Sequence, residues 1–226
     1  MISATSHHVR TGVTNRDAYE RRFVPRIHRL ILLGYGRMPH SKYASEQETT
    51  ITGDLVDSIN EILDAPPEKW MKFYSVHDDP PVNERKGAGN ARRKGRSRRR
   101  VDIRFDSAEL APRLRFRFEC KRLGPKCTVK KYLGPDGLGC FLASAYARDD
   151  VQAGMLGYLQ SDDHIAWALR IEKMLIKLNG QYSLRSDSPW RNEAITPGLP
   201  STYRSGHGRG NGRPSIEIYH TLLAFV

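Results

Sequence analysis

The chain has no apolar run approaching the about eighteen residues of a membrane span. Its start, MISATSHHVRTG, has no apolar stretch behind its charge, so a secretory signal is not expected and the cytoplasm is the expected compartment. Only three cysteines occur, Cys120, Cys127 and Cys140, with no C-x-x-C spacing. That excludes a disulfide framework or a cysteine-based zinc module and leaves free thiols in a reducing compartment. No internal repeat is visible, and neither is a helix-turn-helix or zinc module that would read a long base sequence.

Acidic residues are missing from one stretch altogether. Residues 85–100 hold nine basic residues (Arg85, Lys86, Arg92, Arg93, Lys94, Arg96, Arg98, Arg99, Arg100) and no acid. Of the formal net charge of +12, subtracting this +9 leaves +3 for the other 210 residues. The excess is local, and a polyanion is the expected partner. Its glycines and lack of apolar residues predict a flexible basic loop. With 226 residues, 38% hydrophobic and 27% charged, the chain can bury a core of its own. The expected organisation is a flexible tail over 1–15, in which His7 and His8 belong to a frayed end, and a single domain over 16–226, with a second flexible stretch at 183–214.

The most informative pattern runs from Leu114 to Lys121. Leu114, Phe116, Phe118 and Cys120 alternate with Arg115, Arg117, Glu119 and Lys121, the period of a strand with one apolar and one polar face. Upstream, Val101, Ile103 and Phe105 alternate with Asp102, Arg104 and Asp106. Paired as neighbours, these strands would aim Asp102, Glu119 and Lys121 to one side, and Arg104, Arg115 and Arg117 would share that face.

Around them, Asp17 to Leu33 reads as a helix interrupted or begun at Pro25. Ser45 to Leu63 reads as a second, with Ile51, Leu55, Ile59 and Ile62 as its buried stripe. Ser45 and Glu48 fit a capping box, yet Glu48 also falls on the inward stripe, where its carboxylate could join the site. Glu46, roughly 160° round the helix, is the alternative. Met71 to Val76 reads as a strand, and His77 to Pro81 as the turn that ends it rather than a metal site. Further along, 138–148 suggests a short apolar helix and 152–160 a strand whose glycines mark close backbone approach. Ser161 and Asp162 would cap a helix through which Ile165, Leu169, Ile171, Leu175 and Leu178 run to about Asn179, and 215–226 reads as a final strand.

Asp102 followed by Glu119-x-Lys121 on an amphipathic strand, behind a helix and in a basic chain, resembles the PD-(D/E)XK nuclease superfamily. The resemblance covers roughly residues 44–180, although Arg100 and Val101 stand where the motif's first letter would place a proline. It implies an α/β restriction-endonuclease-like fold: an αβββαβ core with a central mixed sheet flanked by helices.

It also implies a Mg²⁺-dependent endonuclease, Mn²⁺ serving as well, that hydrolyses phosphodiester bonds of nucleic acid, DNA ahead of RNA, in defence against phage or in repair. Asp102 and Glu119, with the backbone carbonyl of Cys120, would hold the metal, Lys121 would be catalytic, and Glu48 would be a fourth site residue. Arg92, Arg93, Lys94, Arg96, Arg98, Arg99, Arg100, Arg115 and Arg117 would hold the nucleic acid. Without a recognition module, such an enzyme would depend on a protein partner or cut by structure, and a homodimer would suit duplex cleavage. The competing expectation is a non-catalytic nucleic-acid binder in which these acids and bases only neutralise one another.

Overall fold

A computed structural model describes residues 15–80, 100–143, 150–210 and 212–226. The tail with His7 and His8, and Arg92, Arg93, Lys94, Arg96, Arg98 and Arg99 of the basic loop, lie outside the described residues. Two helices lead, α1 (Asn15–Tyr35) and α2 (Glu48–Asp64). Three antiparallel strands follow: β1 (Tyr74–Asp78), β2 (Ile103–Ser107) and β3 (Leu114–Leu123). Two short helices, α3 (Val129–Leu133) and α4 (Leu138–Leu142), then lead to β4 (Gln152–Leu159), which pairs parallel to β3. After α5 (His164–Lys177) and α6 (Asn179–Tyr182) come β5 (Arg191–Asn192), β6 (Thr202–His207) and β7 (Ile216–Ala224). The strands form one mixed seven-stranded sheet in the order β1-β2-β3-β4-β7-β6-β5.

The period-two patterning explains how this sheet is clad. Phe105, Phe116, Phe118 and Cys120 face α1 and α2, packing with Ile27, Leu30, Ile51, Leu55 and Ile59. Leu123, Ala153, Met155, Ile218 and Leu222 face the other way, against Tyr132, Phe141, Trp167 and Ile171 from α3, α4 and α5. Helices therefore flank both faces, each burying one apolar stripe. On the second face, β1 to β3 carry polar side chains instead, including exposed His77 and Arg115.

Several local expectations are corrected. Pro25 neither starts nor breaks α1, which runs through it. Phe23 and Val24 before it and Ile27, Leu30 and Ile31 after it are all buried, and packing on both sides outweighs the one hydrogen bond that proline removes. Residues 71–73 form a 3₁₀ turn rather than strand. His77 and Asp78 belong to β1, and the turn comes at Asp79, whose φ is 40°. The inward stripe of α5 is Trp167, Ala168, Ile171 and Leu175, whereas Ile165, Leu169 and Leu178 are exposed, and its cap is Asp163, which accepts from the Ala166 amide at 2.7 Å. Within the stretch 183–214, where the sequence predicts no strand, the chain forms β5 and the largely buried β6.

Gly154 pairs opposite Phe118, and a Cβ built there would lie 2.1 Å from the Phe118 ring. The close approach in β4 is thus a side chain lying over the glycine, not backbone on backbone. Gly154→Val should displace that ring from the core and cost about 3 kcal/mol, measured as a lowered urea midpoint with an unchanged slope. Unaltered stability would show that the ring has room to move.

Candidate functional site

β3 outlasts its neighbour. The β2–β3 register runs out at Ile103 opposite Phe118, so the backbone of β3 beyond that pair has no strand on this edge. An open edge needs partners for its amides, and two carboxylates provide them. Asp102 Oδ2 accepts from the Cys120 amide at 2.7 Å, and Glu48 Oε2 accepts from the Arg122 amide at 3.0 Å. Asp102, just ahead of β2, and Glu48, at the first turn of α2, are placed by the end of a ladder.

Glu119 and Lys121 rise from the polar face of the same edge. Lys121 Nζ donates to the Cys120 carbonyl at 2.6 Å, to Glu119 Oε1 at 2.9 Å and to Glu48 Oε1 at 3.1 Å, and lies 3.7 Å from Asp102 Oδ2. Five residues named from the sequence thus meet at one point: Glu48, Asp102, Glu119, Cys120 through its carbonyl, and Lys121. The capping-box alternative for Glu48 is corrected. The helix N-cap is Gln47, with no side-chain cap bond, and both Glu48 oxygens are spent on β3.

The site is graded in depth. Side-chain exposure is 34% at Asp102 and 32% at Glu48, but 6% at Glu119, so Glu119 is the floor and the other two form the mouth. Three carboxylates share one ammonium, and the electrostatics follow. Burial, helped by the Asp102 charge and opposed by Lys121, pushes the Glu119 carboxyl up to about 8. Burial also raises Asp102, against the pull of Lys121 and the Cys120 amide. For Lys121, burial acts downward, but Glu119, Asp102 and Glu48 together outweigh it and hold the ammonium above the ordinary lysine range. Glu119 Oε2 is buried with no hydrogen-bond partner among the described residues.

Among the described residues, no three His, Cys, Asp or Glu side chains form a ready-made metal cage; the oxygens instead gather round Lys121. The donor set nevertheless fits a hard divalent cation: carboxylate and carbonyl oxygens, an excess of negative charge, and one buried oxygen left over. Asp102, Glu119 and the Cys120 carbonyl are the atoms that could hold one.

The other basic residues named from the sequence have different partners. Arg100 donates to the Asp79 carbonyl at 2.6 Å and to its carboxylate at 2.8 Å. Arg117 pairs with Asp150. Arg104 and Arg115 donate through Nε to the two oxygens of Asp106, at 2.8 and 3.1 Å. These arginines therefore neutralise Asp79, Asp150 and Asp106, and none of them neutralises Asp102 or Glu119.

Gln160, at the end of β4, escaped the sequence reading. Its Nε2 donates to the carbonyls of Tyr43 and Glu46 at 2.9 and 2.8 Å, and Arg122 also donates to the Glu46 carbonyl, at 3.1 Å. Together they clamp the turn that delivers Glu48. The only signal was a polar residue closing an apolar strand. Compared with family models, curated proteins and solved structures, the chain matches none of them.

Proposed function

We propose that the protein is a metal-dependent nuclease of restriction-endonuclease-like architecture, hydrolysing phosphodiester bonds of nucleic acid, DNA ahead of RNA. The observation that carries the reading is the meeting of three carboxylates and the Cys120 carbonyl at Lys121, with one Glu119 oxygen left unpartnered. Mg²⁺ or Mn²⁺, when bound there, supplies the Lewis acid that offsets charge on the phosphate and acidifies a water. Asp102, Glu119 and the Cys120 carbonyl are its holders. Lys121, bonded to Glu119, Glu48 and the Cys120 carbonyl, orients the attacking water and donates to phosphate oxygens as charge builds on them. Glu48 holds the Lys121 ammonium and the β3 edge in place. The reaction adds water's oxygen to phosphorus and breaks the bond to the 3′ oxygen, which leaves with a proton.

Supporting this reading are the order of elements, αβββαβ within the longer chain, and the basic stretch that leads directly into Asp102. We infer that cutting is directed by substrate structure, by a protein partner or by pairing of two copies, in defence or repair. One observation favours the non-catalytic alternative: Arg104, Arg115, Arg117 and Lys121 all have acidic partners, as in an inert ion cluster. The charge count opposes it: even with Glu119 holding its proton up to about pH 8, the Lys121 ammonium faces two further carboxylates, Asp102 and Glu48.

The test is cleavage of supercoiled plasmid and of labelled single-stranded DNA and RNA with Mg²⁺, Mn²⁺ or EDTA. Metal-dependent cutting by the wild type, lost in Glu119→Ala and Lys121→Ala, supports the nuclease; binding without cutting, equal in all three proteins, supports the binder. Gln160→Ala should loosen Glu48 and lower cleavage about 10–100-fold at limiting metal, with most of the loss recovered at high Mg²⁺. An equal loss at every metal concentration would place Gln160 outside this role.

A further inference from the structure

Asp106 stands at the middle of an arrangement that the carboxylate site does not use. It is 9% exposed, and its two oxygens accept from Arg104 Nε and Arg115 Nε, with His77 Nε2 3.6 Å away. Arg104 and Arg115 spend only Nε on it, so the terminal amino groups of both guanidinium groups have no protein partner among the described residues. One acid thus gathers two arginines that point no further donors at the protein. A carboxylate whose sole purpose was neutralisation would need one arginine; with two, the cluster keeps net positive charge. Arg115 is 51% exposed and His77 46%, so solvent and ligands reach it.

Register fixes where this cluster lies. Ser75, Asp106 and Arg115 form one row across β1, β2 and β3, and His77, Arg104 and Arg117 form the next. Asp102, just ahead of β2, and Glu119, on β3, are each two residues beyond Arg104 and Arg117, about 6.8 Å per such step of strand. The backbone positions of Arg104 and Arg115 are therefore one to two steps from those of the carboxylates, the order of the spacing between successive phosphates along a nucleic acid strand. Planar guanidinium groups with free terminal nitrogens match phosphate oxygens in pairs.

We propose that Arg104 and Arg115, oriented by Asp106, form a phosphate subsite that grips the substrate strand one or two nucleotides from the bond that is cut. This rests on the nuclease reading. Arg104 and Arg115 are binding residues here, and Asp106 is a positioning residue. Arg117, held by Asp150, is not part of the subsite.

The experiment uses the full chain with Mn²⁺ and a labelled DNA strand in which each linkage within two nucleotides of the cut is replaced, one at a time, by a neutral methylphosphonate. On unmodified DNA, Arg104→Gln and Arg115→Gln together should raise KM about tenfold, leave kcat nearly unchanged and lower the salt slope of binding by about one. One methylphosphonate position should cost the wild type a similar factor and cost the double variant almost nothing more, since both remove the same contact. Asp106→Asn, with the arginines intact, should raise KM without a change in kcat. Its melting curve checks the fold independently. Equal sensitivity of wild type and double variant at every linkage overturns the subsite while leaving the nuclease standing. Absence of any metal-dependent cut by the wild type overturns the nuclease reading, and the subsite with it.

Discussion

Glu119→Gln is expected to melt higher than the wild type at pH 8.5 while losing cleavage entirely. Glu119 lies on the floor of the site with its carboxyl pushed up to about 8 by burial and the Asp102 charge, and with Oε2 unpartnered. In the unfolded chain it ionises near its ordinary 4.5. Between these values the folded protein holds a proton that the unfolded one has released, so its contribution is full below pH 4.5 and is lost as pH rises through 8. Glutamine keeps the acceptor for Lys121 and cannot ionise. The variant's advantage should therefore be absent at pH 4.5, grow through neutrality and level off above pH 8 at an upper limit on the order of 5 kcal/mol, at roughly 1.4 kcal/mol per unit. Thermal unfolding across pH measures it. A parallel pH profile for both proteins would mean that Glu119 is not strained by its neighbours. On the proposed reading, stability lost by the wild type is the cost of keeping a carboxylate for a cation in a desolvated place.

Lys121→Ala is expected to have the opposite stability and the same inactivity. Its ammonium bonds Glu119, Glu48 and the Cys120 carbonyl, and removal leaves three carboxylates crowded at the β3 edge with no counter-charge. Breaking such a cluster from one side costs about 3 kcal/mol, and loss of the donor to the transition state costs about 10²–10³ in rate. Added Mn²⁺ should restore much of the variant's melting temperature but not its activity, because the ion replaces the missing charge and not the missing N–H donors. Stability that ignores both the substitution and the metal would contradict this.

The parts of the protein that the sequence makes legible are those where chemistry and periodicity coincide. The alternation over Leu114–Lys121 places Phe116, Phe118 and Cys120 in the core and Glu119 beside Lys121 without any structural help. Asp102 follows from the alternation that leads into the preceding strand, although it stands just ahead of β2 itself. Glu48 is harder, since Ser45 three residues earlier offers a cap that the chain does not use. Only the open end of the β2–β3 ladder, a feature of register, decides for the site. Gln160 acts on backbone carbonyls more than a hundred residues earlier, a contact that leaves no local pattern.

Polarity misleads over residues 183–214. Thr202, Ser205 and His207 are polar yet buried, because Ser205 Oγ bridges His207 Nε2 and His220 Nε2 at 2.8 Å each, and hydrogen bonds satisfied inside the core remove the cost of burial. In α5 the sequence carries apolar residues on two faces, and only packing shows that Trp167 and Ile171 turn inward while Leu169 stays out.

The most direct measurement is Mn²⁺ binding followed by electron paramagnetic resonance, in the wild type and in Asp102→Asn and Glu119→Gln. Quenching of the free-ion signal by the wild type, weakened at least tenfold in both variants, is the result this account predicts. A wild type that leaves the signal untouched, or variants that bind as well as it does, would contradict the claim that these carboxylates are built to hold a divalent cation.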